Sequence, residues 1–379
     1  MRFVTTVVGL VTFLNVSAAV AQDTAVPSEP FKLGTFQIDA GPQVGIVVQD
    51  RYVIELGRGN DALQANPAYA PVSMPADMLE LIGQYEYGLK YRIYEIVDDA
   101  VTQKRLTGPR RPAYIHDVDD IRTLAPILYP GKILNAAGNF YSHVCEGCTE
   151  EEQAESDRQH RQNRGIPYLF LKPSRGAVIG TGESVVIPPG RDRIDWEVEF
   201  GTVIGRPASY ISSAEAEDYV FGYMVTIDIS DRGGRPEGRS DWFVGKGHNS
   251  FAPQGPWIVP KEFYGNPMER LHQQLTIDGV TVQDAGAGDM IHSIWELMEY
   301  ASSIITLFPG DVLNSGTSGG TSTGAFADGT RSGYLQAGEL IEATIEGIGT
   351  LRMPTVAGDP LPDDLSGAQL PAVSTYRDN

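Results

Sequence analysis

Two short segments place acidic residues where they could share one ion. In IDWEVEF, residues 194–200, Glu197 and Glu199 are two positions apart. Because successive side chains of a β-strand point to opposite faces, the two carboxylates share one face while their apolar neighbours pack on the other. The same alternation in VTIDIS, residues 225–230, separates Asp228 from the isoleucines beside it. Two predicted strands therefore offer three carboxylates.

Three carboxylates on two strands favour a hard divalent cation. Mg²⁺, Mn²⁺ and Ca²⁺ prefer oxygen ligands, and their remaining positions can hold water and a chelating substrate. Zinc is disfavoured because no histidine is among the three ligands. The same spacing is also typical of an ordinary solvated strand face, so the spacing alone leaves both interpretations open.

Composition and charge narrow the class of protein. The chain has 379 residues, 41% of them hydrophobic, which is enough for one large domain or two modest ones. Its 29 Lys and Arg against 49 Asp and Glu give a net charge of -20, which disfavours nucleic acid and acidic membranes as partners. A small anionic substrate is still compatible with a few cations in a cleft. An NAD-dependent enzyme is not expected, because no G-x-G-x-x-G motif follows a predicted strand and opens a helix.

The first residues resemble an export signal. Arg2 precedes an apolar run, residues 3–14, and Ala19 and Ala21 form an A-x-A pattern. We expect cleavage after Ala21 and a periplasmic or secreted protein. An uncleaved membrane anchor is the alternative, although the run is shorter than the roughly 20 residues that span a bilayer.

The rest of the chain reads as an α+β, β-rich protein. Short β-branched and aromatic runs lack the alternation of strands and helices that a parallel sheet requires, which favours a β-roll or barrel. A short helix is predicted over 75–85, an exposed polar helix over 150–162 and an amphipathic helix over 290–307. The predicted divisions are a signal peptide, 1–21, a small N-terminal α/β domain with its connector, 27–126, a catalytic β-roll domain, 127–358, and a loose C-terminal tail, 359–379.

Seven segments in order resemble the fumarylacetoacetate hydrolase family over about 220 residues. The first keeps the spacing N-x-x-x-H-x-x-E at Asn139, His143 and Glu146. The others are YLFLKP at 168–173, the E-x-E of 197–199, DISDR at 228–232, Gly-Lys at 245–246 with GPW at 255–257, P-G-D with Ser-Gly-Thr at 315–317, and EGIGTLRMP up to 354.

The resemblance implies a mixed β-roll with a small N-terminal mixed domain, usually as a homodimer. It also implies a divalent metal on Glu197, Glu199 and Asp228, chelated by the carboxylate and oxo group of a substrate. Such a dication stabilises the enolate that forms when a neighbouring C–C bond breaks, which lowers the barrier.

Within this pattern, His143 and Glu146 fit a general base and the carboxylate that orients it, because residues three apart can meet on one helical turn. A capping or surface histidine is the alternative. Lys172, Arg232 and Lys246 are candidates for binding the substrate's negative charge. They could instead only neutralise the three acids.

Thr317 lies in a Gly-rich turn whose N–H groups and hydroxyl could bind an oxyanion, or whose glycines could serve only a tight bend. Asn139 stands where some family members have a fourth acidic ligand, so three protein carboxylates are expected. Gly233, Gly234 and Arg235 replace the usual acidic residue and glutamine. Arg235 could contact a more acidic substrate or lie at the surface.

Cys145 and Cys148 are the only cysteines and flank Glu146. In an exported protein this C-x-x-C predicts a local disulfide that stiffens the segment. Redox catalysis would need a thioredoxin-like setting that is missing, and a zinc site would need further ligands.

The combined prediction is a hydrolase that cleaves a C–C bond of an acylpyruvate-like 1,3-dicarbonyl acid, with water activated by His143. A decarboxylase, dehydratase or isomerase would use the same metal site, and a non-catalytic binder of dicarboxylates or metal is the alternative from another class. The His143 and Glu146 pair favours hydrolysis, because the other reactions need no attacking water.

Overall fold

The fold is known from a computed structural model that describes residues 26–39, 41–109, 111–233, 241–331 and 333–360. The predicted signal peptide, Gly234, Arg235 and the tail beyond residue 360 lie outside these residues. The architecture is strand-rich α+β, which confirms the predicted fold class.

The strands are short and follow one another along most of the chain. They are β1 Phe31–Ile38, β2 Gly41–Val48, β3 Tyr52–Glu55, β4 Ile115–Asp117, β5 Arg122–Leu124, β6 Ile133–Ala136, β7 Leu169–Lys172, β8 Val178–Ile179, β9 Val185–Ile187, β10 Ile194–Asp195, β11 Val198–Ile204, β12 Val220–Ile227, β13 Ser230–Asp231, β14 Ala252–Pro260, β15 His272–Ile277, β16 Val280–Gly286, β17 Val312–Asn314, β18 Leu340–Ile345 and β19 Gly349–Ala357.

The helices are fewer and are spread along the chain. They are α1 Leu56–Gln64, α2 Met78–Gln84, α3 Lys90–Thr102, α4 Glu150–Gln162, α5 Trp242–Lys246, α6 Lys261–Tyr264, α7 Pro267–Arg270, α8 Ile294–Ile304 and α9 Ser322–Ala327. A π-helical turn, Tyr85–Leu89, joins α2 to α3, and three 3₁₀ turns lie at Val118–Asp120, Ala216–Tyr219 and Ala287–Asp289.

Most strands belong to one large sheet in the order β4-β3-β2-β1-β14-β12-β11-β17-β6-β7, to which β5 adds beside β1 and β8 beside β14. A second sheet runs β16-β15-β18-β19-β9, and β10 pairs with β13. Neighbours are antiparallel except in the pairs β17–β6, β14–β8 and β19–β9. The two strands associated with the predicted acidic ligands, β11 and β12, thus lie inside the large sheet.

The N-terminal region shares this sheet with the rest of the chain, because β1 pairs with β14 and sets Leu33 opposite Ile258. Its helices cover one face of the sheet, where Phe221 and Met224 of β12 pack among their buried residues. The other face of β12 packs in a second core. The domain boundary at residue 126 stays a prediction.

Three predicted helices correspond to observed ones. α4 and α8 lie within the predicted ranges, and α2 lies within 75–85. As expected for an exposed polar helix, α4 has no buried residue. The helices α1 and α3 and the short α5, α6, α7 and α9 are additional. In α3, Ile93, Ile96, Val97 and Ala100 form a buried stripe at helical spacing. Among the described residues no helix is both long and apolar enough to cross a bilayer.

If β1 is part of the common core, Leu33→Ala should lower the free energy of unfolding by about 2 to 5 kcal/mol, because it leaves a cavity under the sheet. The matched control is Leu171→Ala, since Leu171 is 58% exposed on β7; it should change stability by less than about 0.5 kcal/mol. Urea unfolding of the two variants measures both values. Equal losses would contradict the packing described for β1.

Candidate active site

The three predicted metal ligands converge at one end of β11 and β12. Glu199 lies in β11, Glu197 directly precedes it, and Asp228 directly follows β12. The backbone N–H of Asp228 donates to the carbonyl of Glu197 at 2.8 Å, which continues the pairing of the two strands. One carboxylate oxygen from each residue lies within 4.8 Å of the others.

These carboxylates are buried. Glu197 is 4% exposed, and Glu199 and Asp228 are each 1% exposed. The intervening Trp196, Val198 and Phe200 belong to the hydrophobic core, as the strand alternation predicts. A solvated strand face therefore does not describe these residues, and their charge must be compensated inside the protein.

Two lysines supply part of that compensation. The Lys172 ammonium pairs with Asp228 Oδ1 and donates to the carbonyl of Ile229 at 2.9 Å. The Lys246 ammonium donates to Glu197 Oε2 at 2.8 Å and to Asp228 Oδ2 at 2.6 Å. Both lysines are thus in the neutralising role that the sequence left as the alternative to substrate binding.

Arg232 completes the set of cations. Its Nη2 pairs with Glu197, and its Nε donates to Asp195 Oδ2 at 2.8 Å. Asp195, which was not among the predicted site residues, is held in turn by the backbone N–H groups of Trp196 and Ser322, each at 2.8 Å. Its position in IDWEVEF, two residues before Glu197, was the available signal.

Burial and neighbouring charges set the protonation of the cluster. Burial by itself raises the pKa of Glu197, but Lys246 and Arg232 outweigh it and lower that pKa to about 2. The pKa of Glu199 is raised well above 4.5 by burial and then by the charges of Asp228 and Glu197. Glu199 is thus the carboxyl that most readily holds a proton without a metal.

The pKa values of Lys172 and Lys246 are shifted in opposite directions. Burial lowers the pKa of Lys172, and Asp228 offsets only part of this effect. Burial also acts to lower the pKa of Lys246, but Asp228 and Glu197 together raise it. Lys246 therefore holds its positive charge more firmly than Lys172.

The donor set fits a hard divalent cation. Four carboxylates, including Asp195, face three cationic side chains, so the fully ionised cluster carries one excess negative charge. Asn135 Nδ2 donates to Glu199 Oε2 at 3.2 Å, while its buried Oδ1 has no hydrogen-bond partner among the described residues. A hydrated cation would satisfy that acceptor and permit Glu199 to ionise.

A pocket of about 370 Å³ opens beside this cluster. Its lining combines charged groups with an aromatic wall in which Phe170 and Trp242 stack at 4.5 Å. Among its lining residues are five of the predicted site residues: His143, Glu197, Arg232, Lys246 and Thr317. The described structure thus brings most of the predicted constellation to one small concave site.

His143 and Glu146 meet as predicted, on consecutive turns rather than on a helix. His143 Nδ1 lies 2.8 Å from Glu146 Oε2. The carboxylate also accepts from the backbone N–H groups of Gly320 and Thr321 at 2.5 and 2.9 Å, and from Thr321 Oγ1 at 2.6 Å. Because Nδ1 is engaged, Nε2 is the ring nitrogen that can act on a molecule in the pocket.

Two other predicted residues turn out to be anchored. The hydroxyl of Thr317 donates to the carbonyl of Val198 at 3.0 Å, so only its backbone N–H is a candidate donor to an oxyanion. Asn139 donates to the carbonyls of His292 and Ser315 at 3.0 and 2.8 Å and lies outside the acidic cluster. The expectation of three protein carboxylates is consistent with this placement.

The two cysteines are joined in the predicted local disulfide, Cys145–Cys148. Neither sulfur atom is therefore available as a zinc ligand.

Comparisons with known proteins find a protein family and several solved structures to which the chain is similar. The family model described as fumarylacetoacetate (FAA) hydrolase C-terminal matches residues 132–356. A 2,4-didehydro-3-deoxy-L-rhamnonate hydrolase of Sphingomonas sp. (strain SKA58) is 35% identical over 201 residues, which cover 53% of this chain and 69% of the relative.

Two crystal structures of maleylpyruvate hydrolase from Sphingobium sp. SYK-6 share the fold. One is 25% identical with a TM-score of 0.62. The other, in complex with manganese(II) and pyruvate, is 24% identical with a TM-score of 0.61. Each comparison covers 86% of this chain and 100% of the other.

The pKa of Glu199 is raised and that of Glu197 is lowered. Once a chelator has removed the metal, replacing each residue by Gln should therefore change the stability of the protein in opposite directions. Because the pKa of Glu199 is raised on folding, its carboxyl favours the folded state below about pH 4.5, and this contribution is lost as the pH rises. Glu199→Gln fixes the neutral form, so it should match the wild type near pH 4 and be more stable than the wild type at pH 8.

Glu197 behaves in the reverse sense. Its pKa of about 2 contributes stability above pH 4.5 that is lost as the pH falls towards 2. Glu197→Gln should therefore be less stable than the wild type at pH 8. Urea unfolding at the two pH values measures both differences, and the same sign for both variants at pH 8 would refute the charge assignment.

Proposed function

Because the chain belongs to the fumarylacetoacetate hydrolase family, we propose that it is a divalent-metal-dependent hydrolase that cleaves a C–C bond of a small acylpyruvate-like acid. The observation that carries this proposal is the shared pocket: a histidine oriented by a carboxylate opens onto the same 370 Å³ space as Glu197 of the acidic cluster. The metal-bound maleylpyruvate hydrolase of the same fold supports it.

Glu197, Glu199 and Asp228 would hold the metal, for which we propose Mg²⁺ or Mn²⁺, with Ca²⁺ as a further candidate. When bound, the dication supplies Lewis-acid stabilisation of the negative charge that develops on the substrate's oxo oxygen. A divalent ion would also change the excess charge of the ionised cluster from one negative to one positive, which attracts an anionic substrate.

His143 acts as the general base in this proposal. Its Nε2 accepts a proton from a water molecule, whose oxygen attacks the acyl carbonyl carbon. Glu146 accepts the Nδ1 hydrogen bond and stabilises the imidazolium that results. The C–C bond then breaks with its electron pair on the oxo-acid fragment, and that carbon receives the proton. The products are pyruvate, or a related oxo acid, and a carboxylic acid.

The cations have different parts in this scheme. Arg232 and Lys246 line the pocket, so they can contact the substrate carboxylate as well as the acids. Lys172 is 5% exposed and lies against Asp228, which favours a neutralising role for it. Thr317 contributes a backbone N–H at the pocket wall. Decarboxylation, dehydration or isomerisation would leave the His143–Glu146 pair without an attacking water.

His143→Ala should lower kcat for acylpyruvate hydrolysis by roughly two to four orders of magnitude, because general base catalysis is lost. Metal content should stay at the wild-type level, since no carboxylate ligand is touched. The measurement is pyruvate release across a panel of acylpyruvates in Mg²⁺ or Mn²⁺, with metal content by mass spectrometry.

The matched control is His272→Ala, because His272 is exposed and pairs with Asp284 on β16. It should keep the wild-type kcat. An unchanged rate in His143→Ala would remove His143 from the base role, and tight binding of the acylpyruvates without any product would favour the non-catalytic alternative.

We further propose that the protein assembles as a homodimer, as the family resemblance implies. We also propose that it is exported. The support for export is the signal-like composition of residues 1–21 together with the disulfide, which persists in oxidising compartments. Expression of the full chain in a bacterial host should yield protein outside the cytoplasm that begins at Gln22. Intact-mass measurement of fractionated cells tests this, and an uncleaved cytoplasmic chain would contradict it.

A further inference from the structure

The Cys145–Cys148 disulfide closes a four-residue ring that contains Glu146. Glu146 is the residue that fixes the catalytic histidine, through the 2.8 Å contact between its Oε2 and His143 Nδ1. Its other contacts reach across to Gly320 and Thr321. The position of the general base therefore depends on a turn whose backbone is constrained by one covalent link.

The glycine segment, residues 319–324, packs so closely against this turn that the turn has little freedom to move. A Cβ atom on Gly319 would lie 2.7 Å from the carbonyl oxygen of Ser142, and one on Gly324 would lie 2.4 Å from Glu146 Oε1. Any side chain at either position would displace the turn or its carboxylate. The turn and the glycine segment are thus in direct contact, and a small change in the turn would alter the hydrogen bonds of Glu146.

We propose that the disulfide is a positioning element for the general base, so that the hydrolytic rate depends on whether Cys145 and Cys148 are oxidised. This inference rests on the proposed function. With the disulfide intact, Glu146 is held against Gly320 and Thr321, and His143 keeps its proton on Nδ1. When the disulfide opens, the turn loosens, and His143 exchanges between its two neutral tautomers.

A general structural staple is the alternative, and the size of the ring argues against it. The stabilisation that a cross-link gains from restricting the unfolded chain increases with the length of the loop that it closes. Cys145 and Cys148 are separated by only three positions, so this contribution is near its minimum. The effect of the link is instead local, on the one carboxylate that it encloses.

The link is accessible to a reductant. Cys148 is exposed, Cys145 is half-buried, and both line an open surface pocket with Glu146 and Gly320. A dithiol reductant attacks the disulfide and breaks the S–S bond. The cysteines gain two electrons and two protons to become thiols, and the reductant becomes a disulfide. The chain has no other cysteine, so the reaction has one target.

The experiment compares oxidised and dithiothreitol-reduced metal-loaded protein, with a thiol titration to show two free thiols after reduction. Reduction should lower kcat on the order of 10-fold, because a displaced base misses the reactive geometry, while KM changes by less than about 2-fold. The ¹⁵N signals of the His143 ring, assigned by their loss in His143→Gln, should change from one Nδ1-protonated tautomer to a mixture.

Two variants separate the disulfide from side effects of the reductant. The double variant Cys145→Ser/Cys148→Ser should show the lower kcat and mixed tautomers without treatment and should not respond to dithiothreitol. Gly324→Ala should produce the same changes with the disulfide intact, because its methyl group displaces the Glu146 carboxylate.

Fully reduced protein with an unchanged kcat and a single His143 tautomer would overturn the positioning role. So would a fall in kcat with no change of tautomer, which is the result that a purely structural staple predicts. If the oxidised protein hydrolyses no acylpyruvate, the proposed function fails, but the tautomer measurement still decides the inference about the disulfide.

Discussion

The mutual repulsion of Glu197, Glu199 and Asp228 is the constraint that the rest of the site must satisfy. Carboxylates within 4.8 Å of one another and shielded from water repel far more strongly than they would at a surface. Burial also costs each of them its hydration. Such an arrangement persists only if cations share the burial, as Lys172 and Lys246 do, or if a carboxyl keeps its proton, which the raised pKa of Glu199 favours.

The compensating cations come from distant parts of the chain, and the sheet order brings them together. Lys172 ends β7, at one edge of the large sheet, and Lys246 ends the short helix α5. Arg232 directly follows β13, whose pairing with β10 places it beside Asp195. Any change of register in these strands would leave an uncompensated buried charge. The charges of the site are therefore balanced only in the observed strand register.

Period-two alternation in IDWEVEF was sufficient to place Glu197 and Glu199 on one side of a strand and its apolar residues in the core. It could not reveal that the acidic face is buried as well, because residues far along the chain cover it, such as Asn135 against Glu199 and Lys246 against Glu197. Helix α3 has buried apolar residues at helical spacing, but Arg92 and Tyr94 are buried as well. Its buried face is therefore wider than the apolar stripe in the sequence.

Long-range contacts set the other limit on prediction from sequence. The family spacing placed His143 and Glu146 together, but the contact between Glu146 and Thr321 joins residues 175 positions apart. Asp195 likewise acts through Arg232, 37 positions away, and its place two residues before Glu197 does not by itself reveal that partner. Such partners are determined by how strands pair, which local residue patterns do not record.

The two halves of the proposed chemistry are supported in different ways, and this difference bears on which reaction the fold performs. The proposed metal ligands lie at the ends of central strands, where main-chain pairing and burial hold them rigidly. The proposed base lies on a turn that is fixed by side-chain contacts, close glycines and a disulfide. A rigid cation site can stabilise developing negative charge in hydrolysis, decarboxylation or isomerisation alike. The histidine that could activate water lies on the turn. In the proposed chemistry it is therefore the turn, and not the strands, that determines whether the reaction is a hydrolysis.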